Sequence, residues 1–219
     1  MTAQTTHPAR AVRSFVRREG RMTNAQKRAL ADLWSFYGID EHAALLGSAL
    51  FSQPRELTLE IGFGDGETLV NLAKQRPEAG FIGIDPHRPG AGRMLLQLQR
   101  EGIENVRVII GDAVELLPRL LGPASLSCVL VLFPDPWPKK RHHKRRLLNT
   151  LFLQMLSTKL KPGGHLHVAT DWIEYAQEIL DAVDRAPLLQ NAAGQGNFSP
   201  RPDWRPLTKY ERRGLNLGH

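Results

Sequence analysis

The segment Glu56–Asp85, ELTLEIGFGDGETLVNLAKQRPEAGFIGID, decides the fold. ELTLEIG and GFIGID are short, continuously apolar runs that read as strands, and the amphipathic stretch Glu67–Gln75 between them reads as a helix. Strands without polar alternation belong in a parallel sheet covered on both faces. The same rhythm continues outward. Helices are expected near Gly92–Glu101, Ala113–Leu121, Leu147–Leu160 and Trp172–Val183, with strands VRVIIG, SCVLVLF and GHLHVATD between them. Before the segment, MTNAQKRALADLWSFYG predicts one helix, with Thr23 as N-cap, Gln26 at the capping-box position and Gly38 as its stop. Asn191–Pro206, rich in Gly, Pro, Asn and Arg, is expected to be irregular, and no internal repeat is present. The expected architecture is a doubly wound α/β domain over residues 22–219, with a mostly parallel sheet and helices on both faces. A basic flexible arm, residues 1–21, precedes it.

The chain of 219 residues is 42% apolar, enough for a core, and carries a net charge of +7 with a pI near 9.9. That balance favours an anionic partner, nucleic acid foremost. The single cysteine, Cys128, excludes an internal disulfide and reads as a buried hydrophobe in a reducing, cytoplasmic setting. Its apolar run is too short to span a bilayer, and no signal peptide is visible. The arm carries several arginines, among them Arg13, Arg17, Arg18 and Arg21, against a single acid.

In open α/β sheets, ligands bind beyond the carboxyl ends of the strands. Gly62, Gly64 and Gly66 follow the first strand, where a turn without side chains lets a cofactor approach the backbone. Glu60, Asp85 and Asp112 stand at the ends of three successive strands. Asp85 is placed to accept from ribose hydroxyls and Asp112 to face an adenine, although Asp112 is also a ready N-cap for the next helix. A ring of carboxylates repels a pyrophosphate and suits a cationic cofactor. S-adenosyl-L-methionine fits that description, which implies a class I methyltransferase with a Rossmann-like sheet.

FPDPWPKKRHHKRR, Phe133–Arg146, follows the fourth strand. Three prolines stiffen the loop that carries Asp135, and Phe133 and Trp137 offer faces for an extruded base. Arg141, His142, His143, Lys144, Arg145 and Arg146 form a track for RNA phosphates, joined by Arg17 and Arg18 of the arm. His165 and His167 alternate in the fifth strand without a third ligand nearby, so they read as strand residues, and the reaction requires no metal. His87 is a weaker candidate for lining the cofactor pocket.

Together with SFVRREGRMT, LEIGFGDGETLV, FIGIDPHRPGAG, HVATDW and RPLTKYERRG, this stretch resembles the bacterial tRNA (guanine-N7)-methyltransferase family over Ser14–Gly214. The resemblance implies methyl transfer from S-adenosyl-L-methionine to N7 of a guanosine in the tRNA variable loop. It implies cofactor contacts from Glu60, Asp85, Asp112 and Asp135, and substrate contacts from Lys139, Asp171, Thr208, Lys209, Tyr210 and Glu211. The family often has Glu–Val where this chain has Asp85–Pro86, which keeps the pair of acceptor oxygens. Family members continue past LGH with a further apolar strand. This sequence stops at His219, so the expectation is a trimmed chain or an unpaired sheet edge.

Guanine N7 carries a lone pair and no proton, so Asp135 is expected to orient and to stabilise charge without abstracting a proton. Three rivals stand beside this reading. They are methylation of an exocyclic nucleobase amine, a nicotinamide-dependent oxidoreductase, and a non-enzymatic RNA-binding module. The expected partner is tRNA, and the expected state a monomer or weak homodimer.

Overall fold

The computed structural model describes residues 20–40, 42, 50–53 and 55–216, the side chains of 213–216 excepted. Arg13, Arg17 and Arg18 lie outside the described residues. A sheet of six parallel strands has the order β1-β4-β3-β2-β5-β6. The strands are β1 (Gly38–Ile39), β2 (Leu57–Ile61), β3 (Gly80–Asp85), β4 (Val106–Ile110), β5 (Leu126–Leu132) and β6 (Leu160–Ala169). The chain steps from β2 through β3 to β4 in one direction, then returns to place β5 on the other side of β2. Consecutive right-handed crossovers in opposite directions put their helices on opposite faces. The switch point therefore falls between β2 and β5.

The core has two layers, one on each face of the sheet. On one face, Leu59, Ile61, Ile82, Ile84, Val129 and Val131 pack beneath α5 (Ala113–Leu120), α6 (Thr150–Ser157) and α7 (Ile173–Asp184). On the other, Phe81, Val108, Leu130 and Leu132 pack beneath α1 (Asn24–Asp32), α3 (Glu67–Gln75) and α4 (Arg88–Glu101). Every residue of β3 is buried, which is why GFIGID has no polar alternation. Cys128 lies in the second layer, and burial pushes its thiol up to about 12.

The reading of the apolar rhythm holds for β2 to β6, and α3 and β3 have the expected bounds, whereas β1 was not expected, because Gly38, read as a helix stop, goes straight into a two-residue strand beside β4. Four boundaries differ. The first helix breaks at Leu33 into α1 and a single turn, α2 (Trp34–Tyr37), while the Thr23–Gln26 capping box forms as expected. Helix α4 begins at Arg88, four residues before Gly92, because His87 accepts from the Gly90 N–H through Nδ1 and Pro89 suits the first turn. Helix α6 is shorter than Leu147–Leu160, with Asn149 capping it, and β6 begins earlier, at Leu160. The TKYE stretch, for which no secondary structure was expected, opens α8 (Lys209–Asn216). Asn191–Pro206 is irregular as expected.

Candidate active site at the carboxyl ends of the strands

Beyond β2 the chain turns through Gly62, Gly64 and Gly66 at φ of 78°, 59° and 81°, a left-handed path that other residues rarely take. A Cβ on Gly62 or Gly64 would meet nothing within 4 Å, so this turn presents bare backbone to open space. Asp85, at the end of β3, braces it. Its Oδ2 accepts from the Gly64 N–H at 2.8 Å and its Oδ1 from the His87 N–H at 2.8 Å. Burial raises the Asp85 pKa above its usual range, and those two N–H groups partly offset the effect.

Glu60, one residue before the end of β2, is 3% exposed, and its Oε2 has no hydrogen-bond partner among the described residues. Burial, then the neighbouring charge of Asp85, pushes its pKa up to about 8, against a lowering hydrogen bond from the Leu69 N–H. Asp112 is buried beyond β4 and caps α5 by accepting from the Val114 N–H at 3.0 Å. The cap reading for Asp112 is thus observed.

Asp135 stands exposed beyond β5, between Phe133 and Trp137, whose φ values of 53° and 45° are both left-handed. Two of the bonds that hold this loop come from β6 and from Arg146. The Phe133 N–H donates to the Ala169 carbonyl at 2.7 Å, and Arg146 Nε donates to the Pro136 carbonyl at 2.7 Å. Lys140–Arg145 then forms a 3-10 helix in which Lys140, Arg141 and Lys144 are exposed. Lys139, just before it, is exposed as well. The Arg145 guanidinium lies 4.9 Å over the Trp137 ring, with His142 against the ring edge. Partial burial, then the surrounding Arg141, Arg145, Lys139 and Lys144, holds the His142 pKa below its usual value. His143 meets Glu178 at 3.5 Å. Asp171 is exposed two residues beyond β6, on the same rim.

Arg146 corrects the sequence reading. Its side chain is 2% exposed and pairs with Glu178 Oε2 at 2.6 Å, so it faces the interior and not a phosphate track. Thr208 and Glu211 are corrected in part. Thr208 Oγ1 accepts from the Glu211 N–H, and the Glu211 carboxylate accepts from the Thr208 N–H, which is a capping box for α8. Glu211 also takes both Nη groups of the buried Arg205. Burial raises the Glu211 pKa, but the bonds from Arg205 and Thr208 outweigh it and set the group below its usual range. The T-x-x-E spacing of Thr208–Glu211 was a readable signal for this helix start.

Lys209 and Tyr210 instead reach the rim of the site. Lys209 Nζ meets Asp65 Oδ2 of the glycine turn at 2.7 Å, and Tyr210 stacks on Phe133 with centroids 6.1 Å apart. Arg212 binds both oxygens of Glu67, at the start of α3. Asp65, Arg93, Arg205 and Trp204 carried no sequence signal, yet Arg93 joins Asp65 at 3.1 Å and Trp204 packs edge-on to His165 and His167. Burial, then the charges of Arg205 and His165, pushes His167 down to about 4.

Comparison with known proteins agrees with this geometry. A family model described as "Putative methyltransferase" matches residues 54–219. The tRNA (guanine-N(7)-)-methyltransferase of Aeromonas hydrophila is 50% identical, over 96% of this chain and 89% of its own length. That of Methylococcus capsulatus is 47% identical, over 100% of this chain and 94% of its own. The chain belongs to the tRNA (guanine-N(7)-)-methyltransferase family. Among solved structures, the aminoglycoside resistance methyltransferase NpmB1 is 22% identical, covering 79% of this chain and 73% of its own, with a TM-score of 0.44. Family membership spans the glycine turn, the Asp135 loop and α8 together, so the three segments that meet at the switch point belong to one matched unit.

Proposed function

We propose that this methyltransferase transfers a methyl group from S-adenosyl-L-methionine to N7 of a guanosine in the variable loop of tRNA. The observation that carries the reading is the pairing of two unlike surfaces at one switch point. On one side lie bare glycine backbone and buried acids, and on the other an exposed aspartate beside a basic helix.

The cofactor pocket fits the residues present. Open space over Gly62 and Gly64 admits a nucleoside against the backbone. Asp85 retains lone pairs for ribose hydroxyls, and a cationic ligand would favour the ionised form of the unpartnered Glu60 and lower its raised pKa. Bound there, the cofactor supplies an electrophilic methyl carbon. Asp135 accepts from the guanine edge and offsets the positive charge that develops on the base. Guanine N7 has no proton to lose, so the site works by alignment, which contributes roughly 7–11 kcal/mol in well-oriented systems. Asp171, Lys209 and Tyr210 stand on the same rim as substrate contacts. Lys139, Arg141, Lys144 and Arg145 supply the cations for phosphates. We place the enzyme in the cytoplasm, where a buried free thiol such as Cys128 persists.

The test is labelled methyl transfer from S-adenosyl-L-methionine to unmodified tRNA transcripts, with the product nucleoside identified by mass. Recovery of 7-methylguanosine, lost when the variable-loop guanosine is replaced, is the expected result. A nucleoside methylated on an exocyclic amine would overturn the choice of acceptor atom, and no transfer would overturn the proposal.

A further inference from the structure

We propose that Arg146 is a positioning residue for methyl transfer, clamping the Asp135 loop from inside the protein. The proposal rests on the reading that Asp135 orients the guanine.

The loop needs a clamp. Phe133 and Trp137 both hold left-handed backbone on either side of Asp135, a conformation that persists only where the surroundings over-determine it. Pro134, Pro136 and Pro138 have no N–H, so every second residue of the loop can attach through its backbone only by its carbonyl. Phe133 is tied to β6 at one end. At the other, Arg146 Nε reaches the Pro136 carbonyl, one residue past Asp135.

Arg146 is itself fixed from α7. Its Nη1 is 2.6 Å from Glu178 Oε2, and its guanidinium lies 5.0 Å over the ring of the fully buried Tyr175. The Tyr175 hydroxyl accepts from the Leu148 N–H at 3.0 Å, which ties α7 to the chain just past Arg146. A planar guanidinium can serve carbonyl, carboxylate and ring together, whereas a lysine ammonium cannot. Of the six Lys and Arg residues in KKRHHKRR, Arg146 alone is buried. The Glu178 contact is an ion pair without hydrogen-bond alignment, and neither Nη1 nor Nη2 has a hydrogen-bond partner among the described residues, so a phosphate contact is the competing outcome.

The wild-type chain is compared with Arg146→Met, Arg146→Lys and Glu178→Gln. A tRNA transcript is titrated at saturating S-adenosyl-L-methionine, and the salt dependence of tRNA binding and the thermal midpoint are measured alongside. For Arg146→Met, kcat is expected to fall about 100-fold, the scale of a 1 Å misplacement at a reacting centre. KM for tRNA and the salt slope stay at wild-type values, Arg146→Lys restores kcat only in part, and Glu178→Gln lowers it less. A raised KM with a salt slope reduced by about 1 would make Arg146 a phosphate contact and overturn the proposal. So would a lowered thermal midpoint with unchanged kcat. A parallel arm needs no activity. Trypsin should cut within Lys139–Arg145 faster in Arg146→Met than in wild type, and equal rates would overturn the clamp. If the wild type methylates no tRNA, the assigned reaction fails, while the trypsin arm still decides whether Arg146 holds the loop.

Discussion

Lys209 and Asp65 stand 144 residues apart in the chain and 2.7 Å apart in space. Around that pair, Arg93 from α4 meets the same Asp65 oxygen, Arg212 grips Glu67, and Tyr210 stacks on Phe133. Helix α8 therefore spans the rim from the glycine turn to the Asp135 loop. It crosses the mouth of the switch point between β2 and β5.

Asp65→Asn separates a strap across the mouth from a prop for the fold. Burial raises the Asp65 pKa, but Lys209, Arg93 and His87 together hold it below its usual range, so the charge is present at neutral pH. Pairs this exposed contribute about 0.2–1 kcal/mol each, so unfolding free energy should shift by no more than about 1–2 kcal/mol. KM for S-adenosyl-L-methionine should rise, because the turn loses its tie to α8. Urea denaturation and initial rates check the two halves, and a large stability loss with normal KM would assign α8 a purely structural role.

Replacing Asp135 with alanine should leave stability within about 0.5 kcal/mol, as for an exposed side chain away from the core. Turnover should drop about 100- to 1,000-fold, the range found when a preorganised charge-stabilising group is deleted. Near-normal turnover in a folded variant would remove Asp135 from the chemistry.

Gly90→Ala probes the fit of α4 against the glycine turn. A Cβ there would lie 2.0 Å from the Gly64 carbonyl oxygen, a backbone atom that cannot swing aside. Overpacking of this kind costs about 1–3 kcal/mol, which outweighs a helix-propensity gain of at most about 1 kcal/mol. The variant should be less stable to urea and bind the cofactor more weakly. A net gain in stability would mean the close approach is absent.

Glu60 sets a pH dependence with a definite sign. Its folded pKa of about 8 lies above the ordinary glutamate value of 4.5, so between the two the native state holds a proton that the unfolded chain has released. Stability attributable to Glu60 is therefore complete below about pH 4.5 and declines as pH rises toward 8. Asp85 is raised too, and contributes in the same direction. Glu60→Gln should flatten the decline measured by urea unfolding across that window, and an unchanged slope would exclude Glu60 as its source.

The exposed cations of the 3-10 helix predict a salt signature. For tRNA binding, log K against log salt should be linear and steep, and replacing Lys144 or Arg141 by Met should reduce the slope by roughly 0.7–0.9. Gel-shift or anisotropy titrations at several salt concentrations read it directly, and a flat profile would exclude a phosphate track.

Much of this architecture is legible in the residues. GFIGID carries its own burial in the absence of alternation, and Thr23 with Gln26 announces a helix start that forms as written. Asp85 and Asp135 follow from strand ends, because the carboxyl edge of a parallel sheet is a consequence of its topology. What chain order alone determined is thus strands β2 to β6, the two covered faces of the sheet and the rim on which the acids stand, while the two-residue β1 is too short to carry a pattern. Tertiary structure decided which groups at that rim face solvent. Arg146 lies among five like neighbours and is distinguished only by a carbonyl, a carboxylate and an aromatic ring that folding brings to it. Glu60 and Asp135 are both carboxylates at strand ends, yet one is buried with its pKa near 8 and the other is exposed. Periodicity reports local geometry and average burial. The field at a single side chain depends on atoms distant in the chain, and only the fold assembles them.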